Sequence, residues 1–267
     1  MITLLAALAH ADVCATDTTA FATGPVALTY EDAELGAPHR LCPRTEVGLL
    51  PGGQAIVEAT NFYGHIVAGA TLHGSWAMDD KTELFAGIEA FRYDSVIAPI
   101  SVDYMGFGHV NVGASRRLWD HDTLGVGAHA RVAFPTAFGL YENAWPFGVD
   151  LGASGLWAPT KAVRVHADVG GLFSAAASAG PAYPRVGARV VVGAELQPVR
   201  PIGLTADLVS GFGYEGPVDS VSAAVAIRAG IGKRVGLQLG AMLPFAGRER
   251  ALAAGGLGID VRLGPVE

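Results

Sequence analysis

Lysine is scarce, with only Lys81, Lys161 and Lys233 in 267 residues, and no basic run occurs anywhere in the chain. The 18 Lys and Arg against 25 Asp and Glu give a net charge of −7, which repels phosphate and excludes a nucleic-acid partner. Apolar runs of about 18 residues without a charge, Pro or Gly are also missing, so no helix crosses a membrane. Charged residues are few, at 16%, while 51% are hydrophobic, and that balance excludes a disordered chain. There are no Gly-x-Ser-x-Gly elbow, phosphate loop or His-Glu-x-x-His signatures. The two cysteines, with no clustered histidines, supply too few ligands for a metal, and no cofactor is expected.

What the chain does have is period-two alternation. Residues 66–78 place Ile66, Ala68, Ala70, Leu72, Trp76 and Met78 on one parity and Thr71, His73 and Ser75 on the other. Residues 123–134, 162–169, 184–196, 202–214, 220–230, 235–242 and 251–263 divide the same way, and a weaker first strand covers 46–58. Alternation over that length means strands. Short turns near 79–81, 118–122, 159–161, 196–200 and 231–233 alternate with longer links around 94–102, 135–144, 174–183, 215–218 and 244–250. That is an up-and-down meander, and about 12 strands would close it with both ends on one side. The fold expected is all-β: a closed antiparallel transmembrane barrel over residues 45–264 with a short N-terminal extension.

Three features favour a barrel in lipid over a soluble sandwich. The runs are 10 to 14 residues long, which exceeds ordinary strands and suits a tilted bilayer crossing. Sorted by parity, the polar face carries Glu83, Glu89, Asp103, Asp150, Asp168, Glu195, Asp207 and Asp260 with Arg117, Arg131, Arg164, Arg185, Arg189, Arg228, Arg234 and Arg262. The apolar parity carries only Arg92, Arg116 and Asp219, all near strand ends. Aromatics on that parity also fall at strand ends, with Trp76 and Trp157 beside short turns and Phe134, Trp145, Phe147, Phe212 and Tyr214 beside long links. These form two candidate girdles at the lipid–water interfaces.

In these alternating runs, such as Val186-Gly187-Ala188-Arg189-Val190-Val191-Val192-Gly193-Ala194, and in its girdles, the chain resembles Gram-negative outer-membrane β-barrels, porin-like in architecture. The resemblance implies export to the cell outer membrane, lipid as surroundings, and a monomeric wall. It departs from the family in ending Asp260-Val261-Arg262-Leu263-Gly264-Pro265-Val266-Glu267, without a terminal aromatic. Consistent with export, residues 2–9 are apolar and run into Ala9-His10-Ala11, so 1–11 read as a signal peptide that lacks its positive region. Residues 12–44 then form a periplasmic segment or plug. Cys14 and Cys42 both lie in it, and an even count in an exported chain suggests a disulfide; two unrelated thiols are the rival reading.

The inward residues expected to line the lumen are Glu83, Glu89, His109, Arg131, Asp150, His166, Asp168, Arg189, Asp207, Arg228 and Asp260. Pairing centred on the short turns sets His109 opposite Arg131, Asn111 opposite His129, Ser154 opposite His166 and Arg189 opposite Asp207. Asn61-Phe62-Tyr63-Gly64 reads as a loop clamp between the first two strands. The charges could serve as a salt-bridge lattice alone or also as the lining of a conduit. The functions in play are a channel for small polar solutes with weak selectivity, a structural or adhesive barrel with a closed lumen, and, as a minor reading, a hydrolase.

Overall fold

The computed structural model describes residues 14, 41–58, 63–97, 102–108, 110–134, 136, 145–177, 184–199, 201–213, 217–218, 220–232, 234–247 and 251–263. The strands are β1 (Glu46–Glu58), β2 (Tyr63–Ala77), β3 (Thr82–Ile97), β4 (Val102–Gly106), β5 (Val110–His121), β6 (Leu124–Phe134), β7 (Trp145–Thr160), β8 (Val163–Ala177), β9 (Pro184–Val199), β10 (Ile202–Phe212), β11 (Ser220–Ile231), β12 (Val235–Gly247) and β13 (Ala251–Arg262). Each pairs antiparallel with its neighbours, and β1 pairs with β13 from Glu46↔Arg262 to Ile56↔Ala251, which closes the sheet on itself. Closure gives the first and last strands partners on both sides; among the described residues β4 pairs with β3 alone.

The thirteen strands make a twelve-strand barrel because β4 and β5 occupy one position in the wall. Both pair with β3 in a single register, Val96↔Val102 to Arg92↔Gly106 and then Ile88↔Val110 to Thr82↔Arg116. Between them Gly108 donates its backbone N–H to the Glu89 carbonyl, 2.8 Å, and the Glu89 side chain lies against the bare Cα of Gly108. A side chain on Gly108 would occupy the space the carboxylate fills. The expected long link at 94–102 is therefore mostly strand, since β3 and β4 pair up to Val96↔Val102. Tyr63 and Gly64 likewise open β2, paired with Glu58 and Val57, while the rest of the expected clamp lies outside the described residues.

The five short turns sit at one end, and β1 begins and β13 ends there, where the Leu263 N–H meets the Thr45 carbonyl at 3.0 Å. Several strands run further into their turns than alternation suggests, β5 to His121, β7 to Thr160 and β9 to Val199. The turn-centred partners consequently shift by two or four positions: Arg131 faces Gly113, Asn111 faces Ala133, Ser154 faces Asp168, and Arg189 faces Gly211. Even shifts preserve parity, so the faces stand although the partners change. In the β2–β3 turn, Asp79 accepts backbone N–H bonds from Lys81 at 2.8 Å and Thr82 at 2.6 Å, and these hold its carboxyl below the usual range.

The outer face is apolar. Val186, Val192, Leu151, Leu204, Leu208, Ile227 and Leu239 all stand exposed on it. A register shift between Arg117 and Trp119 in β5 turns both Leu118 and Trp119 outward, so one bulge adds an aromatic to the outer surface at the short-turn end.

Candidate functional site

The inner face collects the polar side chains, held there by the pleat. Asp150 is 0% exposed and Asp168 is 1% exposed, whereas Leu151 beside them is 57% exposed. Glu83, Glu89, Arg131, Arg189, Asp207 and Arg228 are buried on this face, with His166 and Asp260 half-buried. His109 lies outside the described residues. Of the girdle residues, Trp76, Phe134, Phe147 and Trp157 are exposed, and Phe212 is half-buried. Tyr214 and the Trp145 side chain are outside the described residues. Phe134 and Phe147 meet edge to face, centroids 6.5 Å apart.

One cluster spans β6 to β9. The Ser154 hydroxyl donates to Asp168 Oδ2 at 2.6 Å, with His129 Nδ1 3.4 Å from that hydroxyl. Arg189 Nη2 bridges two carboxylates, at 2.9 Å to Asp168 Oδ1 and 3.4 Å to Asp150 Oδ2, and Arg131 Nη2 lies 3.6 Å from Asp150 Oδ2. Charges this deeply buried persist only when paired, because burial without a partner costs several kcal/mol per ion.

Several of these contacts skip a strand, and glycine makes that possible. Asp150 on β7 reaches Arg189 on β9 across Gly170, where an added Cβ would sit 2.7 Å from Asp150 Oδ1. His166 on β8 reaches Asp207 on β10 across Gly193, Nε2 to Oδ1 2.8 Å. Arg228 on β11 reaches Asp260 on β13 across Gly236. Bare backbone in the middle strand lets each pair lie along the wall. Spacing within single strands could not reveal these pairs, since the partners are two strands apart.

The short-turn mouth holds a second cluster, which the lumen set picked from the sequence does not include except for Glu83, Arg228 and Asp260. Cys14 and Cys42 form a disulfide, S–S 2.11 Å and Cα–Cα 5.5 Å, which packs on Ala158 and Leu156 of β7. Arg117 Nη1 of β5 donates to Cys14 Sγ at 2.6 Å, and the Leu41 side chain lies over Gly127 of β6. Two residues on, the Arg44 N–H donates to Glu83 Oε2 at 2.7 Å and its carbonyl accepts the Ser75 hydroxyl at 2.7 Å. Residues 41–44 thus run inside the wall, and Glu46 beside them is 1% exposed. Burial, reinforced by Arg262 and opposed by Glu46, lowers the Arg44 pKa to about 9, which leaves it cationic at neutral pH. Parity alone assigns Glu46 inward, since Val47 and Leu49 stand exposed; Arg44, outside any strand, carried no such signal.

A closed twelve-strand antiparallel wall with an apolar exterior and a charged interior is the architecture of outer-membrane β-barrels. The chain is similar to an outer membrane channel from Pseudomonas putida F1, with a TM-score of 0.64 at 13% identity over 85% of this chain and 97% of that one. It is also similar to the transport unit of the autotransporter AIDA-I from Escherichia coli, with a TM-score of 0.56 at 11% identity over 82% of this chain and 90% of that one. The KdgM porin, solved with disordered oligogalacturonate, gives a TM-score of 0.52 at 9% identity over 82% of this chain and 99% of that one. No protein-family profile matches the sequence, and no curated protein matches it.

Proposed function

We propose that this chain is an outer-membrane channel for small polar solutes, weakly selective because its inner charges are mutually paired. The observation that carries the reading is the inner wall, where ion pairs lie flat over Gly170, Gly193 and Gly236 instead of standing out toward the axis. An apolar exterior would be in contact with lipid, and a wall closed by β1 and β13 needs no second copy to cover an edge. The lumen residues picked from the sequence belong to this lining, and residues 41–44 act as part of an N-terminal plug at the short-turn mouth. The preceding residues 1–11 serve as the export signal. The Ser154, His129 and Asp168 group is the nearest approach to catalytic machinery, but Ser154 donates directly to the carboxylate and all three are buried, which supports a structural role and a non-enzymatic chain.

A structural barrel with a closed lumen is the second reading, favoured by the complete burial of Asp150 and by the chain crossing the mouth at Arg44. Planar-bilayer conductance of the purified full chain, oxidised and then reduced, separates the two. Stepwise conductance in either state supports the channel; silence in both sinks it and leaves the structural barrel.

A further inference from the structure

We propose that Arg44 is the residue that closes and screens the short-turn mouth, held in place by the Cys14–Cys42 disulfide. The proposal rests on the channel reading and names the residue that sets what passes.

Arg44 is tied on both sides of its own peptide units. Its N–H goes to Glu83 of β3 and its carbonyl to Ser75 of β2, so its backbone is fixed against that part of the wall. The chain reaches this point from another part of the wall: the Leu41 side chain lies over Gly127 of β6 and Cys42 packs on Ala158 of β7, so residues 41–44 pass from β6 and β7 to β2 and β3 across the opening. Arg44 is buried there and does not lie on the outer rim.

The disulfide fixes the other end of this short stretch. Cys42 packs on Ala158 of β7, and Cys14 is held by Arg117 of β5. With both ends anchored, residues 42–44 cannot swing out of the mouth while the S–S bond is intact. A dithiol reductant changes this by a balanced exchange: its thiolate attacks one sulfur and expels the other, its second thiol then closes its own disulfide, and the two cysteines leave as thiols. The anchor at Cys14 is then lost.

The charge at the mouth gives the screening its sign. Arg44, Arg117, Arg164, Arg228 and Arg262 stand at this end of the wall with Glu46, Glu83, Glu195 and Asp260, and Asp80 and Asp120 lie beside Arg117. Loss of Arg44 alone shifts this balance by one charge toward the acids, and rings of charge select ions of the opposite sign.

The test is single-channel recording of the full chain in planar bilayers, with heat-modifiable migration confirming that each variant is folded. Oxidised wild type should conduct weakly, and dithiothreitol should raise its conductance several-fold. Arg44→Ala should give that rise without reductant and shift permeability toward cations, while Arg44→Lys should keep the wild-type ion preference. Arg44→Ala with wild-type conductance and ion preference would overturn the proposal, as would a wild type that conducts equally before and after reduction. Silence of wild type in both redox states and of Arg44→Ala would instead remove the channel reading itself. The reductant arm needs no substitution, so it decides even where a variant does not fold.

Discussion

His166 and Asp207 sit on strands that are not neighbours, yet Nε2 and Oδ1 are 2.8 Å apart because Gly193 on the intervening strand has no side chain to separate them. A Cβ at Gly193 would fall on Asp207 Oδ1, 2.6 Å from His166 Nε2 and 2.8 Å from the Ala206 carbonyl. The side chains could move aside, but the backbone carbonyl could not. Gly193→Ala is therefore expected to destabilise the barrel by roughly 1–3 kcal/mol, as overpacking does. Gly171→Ala, on the outer face with only the Leu151 carbonyl at 3.8 Å, should stay within about 0.5 kcal/mol. The temperature at which each variant loses its folded gel mobility orders the two.

A charge on the outer face should be far more damaging than one inside. Val192 stands exposed in the middle of β9, and Val192→Arg is expected to cost roughly 2–4 kcal/mol in a bilayer. Gln238→Glu puts one charge on the inner face directly opposite Arg228 and should cost much less. Urea titration in lipid vesicles compares them; equal losses would contradict the lipid contact of the outer face, and a larger loss for Gln238→Glu would mean that the faces are reversed.

Asp168 accepts from Ser154 and Arg189 at once. Asp168→Ala would take from the buried Arg189 the nearer of the two carboxylates it bridges. A loss of about 3–5 kcal/mol is expected, the range for breaking a buried pair from one side. Unfolding of the variant at neutral pH reads this, and a change below about 1 kcal/mol would show the pair to be solvated.

The β2–β3 turn should weaken in acid. Asp79 has its carboxyl held below 3.8 by the Lys81 and Thr82 amides, so the stabilisation is fully present above that value and is lost as pH falls through the lower, folded-state one. Exchange of the Lys81 and Thr82 amides should speed up only below the ordinary carboxylate range. Asp79→Asn should abolish that pH dependence.

How far the sequence could be read follows from which features are local. Parity is local: Asp150 beside Leu151 needs only the pleat to be sorted, and Glu46, Glu83 and Arg228 follow by the same rule. Register is not. It depends on where a turn ends, and because β5 runs on through 118–121, expected as turn, the partner of Arg131 is Gly113. The strand-skipping pairs were hidden further still, because Gly236 looks like any small inward residue until Arg228 and Asp260 are seen on either side of it. Arg44 lies in no repeating pattern at all. Its place comes from a disulfide and from hydrogen bonds to Glu83 and Ser75, contacts made across 39 and 31 residues of chain.

The bond from the Leu263 N–H to the Thr45 carbonyl joins the end of the wall to its beginning. The junction of β13 with β1 is an antiparallel ladder like the other eleven, so the ring has no privileged place at which it must be opened. Spliced from Leu263 to Thr45 through a short peptide and cut anew between Ala177 and Pro184, the wall would keep every ladder it has. What such a circular permutant would lose is the segment before Thr45, with the disulfide and Arg44, which makes rearranging the chain order a way to take that segment from the mouth without changing a single residue of the wall.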